Sequence, residues 1–194
     1  MRIFLAALLG GIAMFIWSSI AHMALPLGEA GMRDVPNESL LTSLQTQIGS
    51  EAGLYLLPGF GLGPNPTSAQ KHEAMKHYEE RAQRYPSGLL MYFPGGGRPM
   101  AMGKWLSVEF ATEFFETLLV VFLLSLTRLF TFGARVGFFL VAGILAAIAT
   151  NISYWNWYGF PTTYTAAYMF TQLVGFLCAG LVAALVLKKW RPAV

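Results

Sequence analysis

Four stretches of this chain are apolar for about as long as a bilayer is thick, and that limits the fold more than any motif does. They run from Ile3 to Leu25, from Trp105 to Thr127, from about Val136 to Tyr154 and from about Tyr164 to Leu187. A hydrocarbon layer about 30 Å thick takes ~20 apolar helical residues to cross, because lipid satisfies no backbone N–H or C=O. Composition agrees: 55% of the 194 residues are apolar, 12% are charged, and the mean hydropathy is +0.52. A soluble domain carries roughly twice that charge. The expected fold class is membrane all-α: a four-helix transmembrane bundle with a small α+β extracytoplasmic insertion between the first and second spans. Residues 1–25 form the first transmembrane helix, 26–104 the cap, and 105–190 the three-helix remainder of the bundle. The first run exceeds the usual core of a signal peptide, and it is read as a retained anchor although "SSIA" offers a small-residue cleavage site.

The basic residues set an orientation. Arg2 precedes the first run, Arg128 and Arg135 bracket the turn between the second and third, and Lys188, Lys189 and Arg191 follow the fourth. All six fall on one side if both termini are cytoplasmic, as the positive-inside rule requires. The other seven basic residues lie between Arg33 and Lys104, where seven acidic residues from Glu29 to Glu80 balance them. That neutral segment, 26–104, is placed outside. So is a tight turn at "NISYWNWYGFPTTY", whose tyrosines and tryptophans suit the interface, with Trp105 matching them and Trp190 on the inner side. Small residues four apart, Ala6 and Gly10, Gly133 and Gly137, Gly175 and Ala179, favour close helix contact.

The segment 26–104 is too long to lack structure. "VPNESLLTSLQTQIG" reads as a helix capped by Asn37 and closed by Gly49. "TSAQKHEAMKHYEERAQRYP" reads as a polar helix capped by Thr67 or Ser68 and stopped before Pro86. On either side of it, "GLYLLPG" and "GLLMYFPGGG" read as strands. The helix between them leaves room for a parallel crossover, and the small cap is expected to rest on the outer mouth of the bundle or on a partner.

Several patterns point to no chemistry. "HEAMKH" is one residue too long for the zinc-protease motif; His72 and His77 are about 140° apart on a helix, and Glu73 with His77 reads as a surface pair. The glycine-rich "PGGGRP" and "PGFGLGP" lack a following Lys-Ser/Thr, which argues against a nucleotide site. Met23 beside His22, Met91, Met100 and Met102 are soft ligands suited to Cu(I), yet they form no repeated His-Met pattern. A bis-histidine haem needs two histidines from the spans, and only His22 lies in one. The single cysteine, Cys178, allows no internal disulfide or cysteine-based zinc site. No basic cluster with interleaved aromatics suggests nucleic acid.

The feature that demands an explanation is "VEFATEFFETLL". Glu109, Glu113 and Glu116 fall within about 60° on one helix face, and they enter the second span from its outer end. A carboxylate at mid-span costs about 2.5–3.5 kcal/mol to insert, so the stripe should face other helices rather than lipid. Its candidate neighbours are His22 on the first span, Asn151 on the third, and Tyr168 and Gln172 on the fourth. All lie in the outer halves of their helices, whereas "VFLLSL", "GFFLVAG" and "FLCAGLVAALVL" make the inner halves apolar. The expectation is a polar pocket open to the outside above an apolar floor, with Glu116 deepest. His22, Glu109 and Glu113 are its weak candidates for binding a cation. The carboxylates are equally suited to a hydrogen-bonded, purely structural role.

At "GLYLLPG" and "YWNWYGFP", and in the opening apolar helix with a Trp followed by Leu-Pro, the chain resembles small four-span bacterial inner-membrane proteins with no assigned activity. The resemblance implies four spans and an outer domain in that membrane, and no site residues. No complete catalytic constellation is present. The expected function is therefore an inner-membrane accessory or structural subunit, packed beside other membrane subunits in the bilayer. The alternative is a small binding or redox-linked membrane protein holding a cation or a quinone-like ligand at the glutamate cluster. A transporter is disfavoured by the apolar inner halves and the lack of an inverted repeat.

Overall fold

The computed structural model describes residues 1–188; Lys189, Trp190 and Arg191, which the charge pattern places on the inner side, lie outside the described residues. The described chain is mostly helical: α1 (Arg2–Met23), α2 (Glu38–Ile48), β1 (Gly53–Leu57), α3 (Ser68–Arg84), β2 (Gly88–Tyr92), α4 (Met102–Ser125), α5 (Phe132–Tyr158) and α6 (Thr162–Val186). It divides into two compact units, one of Met1–Met32 with the chain from Ala101 onward, the other of Arg33–Met100. Residues 26–32 therefore go with the helical unit. Gly31 shows why: at φ +79° it tucks against α6, where an added Cβ would lie 2.8 Å from the backbone nitrogen of Tyr164.

In the helical unit α1, α5 and α6 are each long and apolar enough to cross a membrane. α4 has the length, 24 residues, but every 18-residue stretch of it contains all three glutamates. The helices pack in the order α4–α1–α6–α5, and α4 barely touches α5 or α6. This is an open row with α1 and α6 at its centre. Neighbours run antiparallel, as the contacts show: Phe15 meets Phe110 edge-on at 5.6 Å, while Gly10, lower on α1, meets Thr117, further along α4.

Small residues make the row close. A Cβ on Gly10 would lie 2.8 Å from Thr117 Cγ2 and 3.2 Å from Ala179 O, and one on Gly11 would lie 2.9 Å from Phe114 Cα. Gly143 and Gly180 form matching hollows for Phe176 and Phe139 between α5 and α6. Of the small pairs noted in the sequence, Ala6 with Gly10 and Gly175 with Ala179 lie in these contacts; Gly133 and Gly137 have open space around them. The buried core runs through Ala6, Met14, Val121, Phe139, Phe176 and Ala179. Large apolar side chains point outward instead: Phe115, Leu119, Val141, Leu145 and Leu185 are all more than half exposed. Water would oppose such a surface over four helices, and lipid suits it.

Two details depart from the sequence reading. The turn expected over residues 151–164 is mostly helix: α5 runs through Trp155 and Trp157 to Tyr158, and Gly159–Pro161 alone reverses the chain. Aromatic residues do not break helices; Gly159, left-handed at φ 69°, and Pro161 do. Arg135, counted among the basic residues of the inner side, is 1% exposed. Its Nε donates to Leu129 O at 3.0 Å and its Nη1 to Leu187 O. It thus closes a carbonyl at the C-terminal end of α6, where a helix leaves its last C=O groups unpaired and favours a cation, and ties that end to the loop before α5 through Leu129.

In the second unit the local signals hold. Asn37 Oδ1 accepts from Ser39 N at 2.9 Å, and Gly49 closes α2 at φ 82°. Thr67 and Gln70 form a reciprocal capping box on α3. Glu73 pairs on the surface with Lys76 at 2.9 Å and with His77 at 3.4 Å. The strands, however, are antiparallel, with Gly53 opposite Tyr92 and Leu57 opposite Gly88. The parallel crossover is not used because residues 58–67 can run out about as far as the 17-residue α3 runs back, roughly 25 Å. Tyr92 is buried and anchors the sheet through its hydroxyl, which donates to Gly49 O at 2.8 Å.

Candidate functional site

The glutamate stripe of α4 faces α1, because α1 is the helix against which α4 packs. Glu113 is 3% exposed, Glu116 is half-buried and Glu109 is exposed. The most buried carboxylate is thus Glu113, while Glu116 lies one turn further along α4. Glu113 shares its face with Thr117, Val120, Val121 and Leu124, the buried side of α4, and Glu116 is rotated about 60° from it.

Ser18 Oγ donates to Glu113 Oε1 across the α1–α4 contact. Its carbonyl holds His22, whose Nδ1 lies 2.9 Å from Ser18 O. A carbonyl can only accept, so Nδ1 carries the hydrogen and in the neutral ring Nε2 remains an acceptor. His22 also meets the edge of Tyr168 at 5.9 Å, and Tyr168 stacks on Tyr164 at 4.4 Å. On the other side of α1, Trp17 Nε1 donates to Thr171 O at 2.9 Å, which fixes α6 against it.

Two adjoining spaces open here. An outer cavity of about 540 Å³ lies between α1 and α4, walled by Phe15, Met102, Trp105 and Leu106, with Ser18, His22, Glu109 and Tyr168 at its polar edge. An inner crevice of about 120 Å³ shares those four polar-edge residues and adds Glu113, Glu116 and Gln172. Neither lining includes a lysine or arginine. Glu113 Oε2 and Thr117 Oγ1 are buried with no hydrogen-bond partner among the described residues. A buried polar atom without a partner is uncommon and costly, so each calls for an explanation.

Six of the seven expected pocket residues line these spaces: Glu109, Glu113, Glu116, His22, Tyr168 and Gln172. Asn151 does not. Its Nδ2 donates to Gln172 Oε1 at 2.8 Å and to Ala147 O at 3.0 Å, bracing α5 against α6. It stands apart because α5 is at the far end of the helix row from α4. Among the described residues no three His, Cys, Asp or Glu side chains converge as metal ligands.

Ser18 is the central residue that sequence reasoning passed over, and Phe15 with Trp105 forms the apolar wall it did not foresee. One signal was available: Ser18 and His22 are four apart, so they share a face of α1. Comparison with protein-family models, with curated proteins and with solved structures finds no match.

Proposed function

We propose that this chain is a multi-pass membrane protein that binds an amphiphilic ligand, holding the polar head at the glutamate face of α4 and the apolar part along Phe15, Trp105 and Leu106. In this reading α4 is the fourth span, inserted because its acidic stripe lies against α1 while Phe115, Leu119 and Leu123 meet lipid. Both termini are cytoplasmic, residues 26–104 are periplasmic, and the membrane is a bacterial inner membrane. The observation that carries the reading is the joined pair of spaces: an apolar cavity that ends at convergent polar groups, the usual form of a small-molecule site.

The outward apolar faces suit lipid and partner helices alike, so the expectation of an accessory subunit gains nothing from them. The site favours the binding alternative. The test is extraction and mass spectrometry of small amphiphiles from protein purified in mild detergent, beside a variant at Ser19, which also lines the outer cavity, where Ser19→Trp fills it. The reading expects one amphiphile enriched over bulk lipid near one per chain in the wild type and lost in the variant. Extracts that match bulk lipid in both proteins would contradict it.

A further inference from the structure

We infer that the head group taken by this cleft is an ammonium bearing N–H donors, on an apolar chain, recognised by the carboxylates of Glu113, Glu109 and Glu116. This rests on the binding role proposed above and specifies its ligand.

The crevice carries three carboxylates and Nε2 of His22 as acceptors. Ser18 Oγ is committed to Glu113 and Thr112 Oγ1 to Val108 O at 2.9 Å, while Tyr168, Thr171 and the amide of Gln172 are neutral donors at its edge, so no lining group balances the acidic charge. A quinone or ester head, which can only accept, offers no hydrogen to an ionised carboxylate. An anionic head would meet three carboxylates with no lysine or arginine in either lining. A primary ammonium supplies three donors and one positive charge, which a carboxylate buried in a membrane requires. Ser18 holds the other oxygen of Glu113, so Oε2 is fixed in direction. The small inner crevice suits a compact head, with the chain left in the larger outer cavity.

The chemistry has two sources, a free alkylamine or an ethanolamine head group of the bilayer. Thermal unfolding of the full chain in phosphatidylcholine nanodiscs, with octylammonium or 1-octanol as probe, tests the inference. At about a hundredfold excess over Kd, octylammonium should raise the wild-type Tm by about 5 °C or more, and octanol should not. Glu113→Gln should bind octylammonium about tenfold more weakly, or worse. Should that variant not fold, Glu109→Gln, at the exposed rim, should also weaken binding. If phosphatidylethanolamine is the source, discs containing it should show the raised Tm before any probe is added. Equal shifts from octanol and octylammonium, or the wild-type response in both variants, would overturn the ammonium head and leave the cleft as a binding site. No shift from either probe in either disc would overturn both.

Discussion

Ser18 on α1 donates a hydrogen bond to Glu113 on α4, a polar tie between the two helices at the cleft. The carboxylate is 3% exposed and keeps its second oxygen unpartnered among the described residues. Removing the donor alone should be worse than removing both groups. Ser18→Ala is expected to destabilise by about 1–3 kcal/mol, since it strands a buried acceptor. Glu113→Leu with Ser18→Ala should recover much of that loss, as replacement of a buried polar pair by apolar groups often does. A double-mutant cycle of thermal unfolding in nanodiscs checks both, and additive losses would count against the contact.

Gly10 and Gly11 set how near α1 comes to its neighbours. Gly10→Val or Gly11→Val should prevent stable folding, because each Cβ would fall within 3 Å of a neighbouring helix, in the second case of its backbone. Gly133→Ala, with open space around it, should be neutral or slightly stabilising, given the helix propensity of alanine. Yield of monodisperse protein and Tm distinguish the three.

Arg135→Met should lower stability by about 1–3 kcal/mol even though it removes a charge from an apolar setting, because carbonyls of Leu129 and Leu187 lose their donors. Arg135→Lys should rescue only partly, since a single ammonium replaces a planar fork that reaches both. A Tm for the Met variant equal to wild type would remove the capping role.

How far the site could be read beforehand depended on the range of each interaction. Asn37, Gly49 and Thr67 act on backbone within a few residues, so the ends of α2 and α3 were legible. Glutamate spacing gave the shared face of α4 for the same reason. Which helix that face would meet is a tertiary matter: the order α4–α1–α6–α5 excludes Asn151 and brings in Ser18, and no local pattern encodes it. Arg135 misled because a cation near a helix start looks the same in sequence whether it meets water or a neighbouring helix end. Trp155 and Trp157, expected in a turn, lie on α5, because aromatic residues do not break a helix and the reversal falls to Gly159 and Pro161.

The proposed topology has its own test. With Cys178→Ser as background, single cysteines at Ser50 and at Thr131 should label oppositely with a membrane-impermeant maleimide on intact cells. Ser50→Cys should react from outside, and Thr131→Cys only after permeabilisation. Labelling of both from outside would mean that α4 does not cross.

The central claim is that α4 is embedded with its acidic face against α1. The most direct measurement is cross-linking in native membranes of Ser18→Cys with Glu113→Cys, in the Cys178→Ser background, using a short bis-maleimide. The control pair is Ile16→Cys with Phe115→Cys, both on outward faces. The account predicts an efficient intramolecular cross-link for the first pair and little for the second. Cross-linking of Ile16 with Phe115, and none of Ser18 with Glu113, would turn the glutamates toward lipid and contradict it.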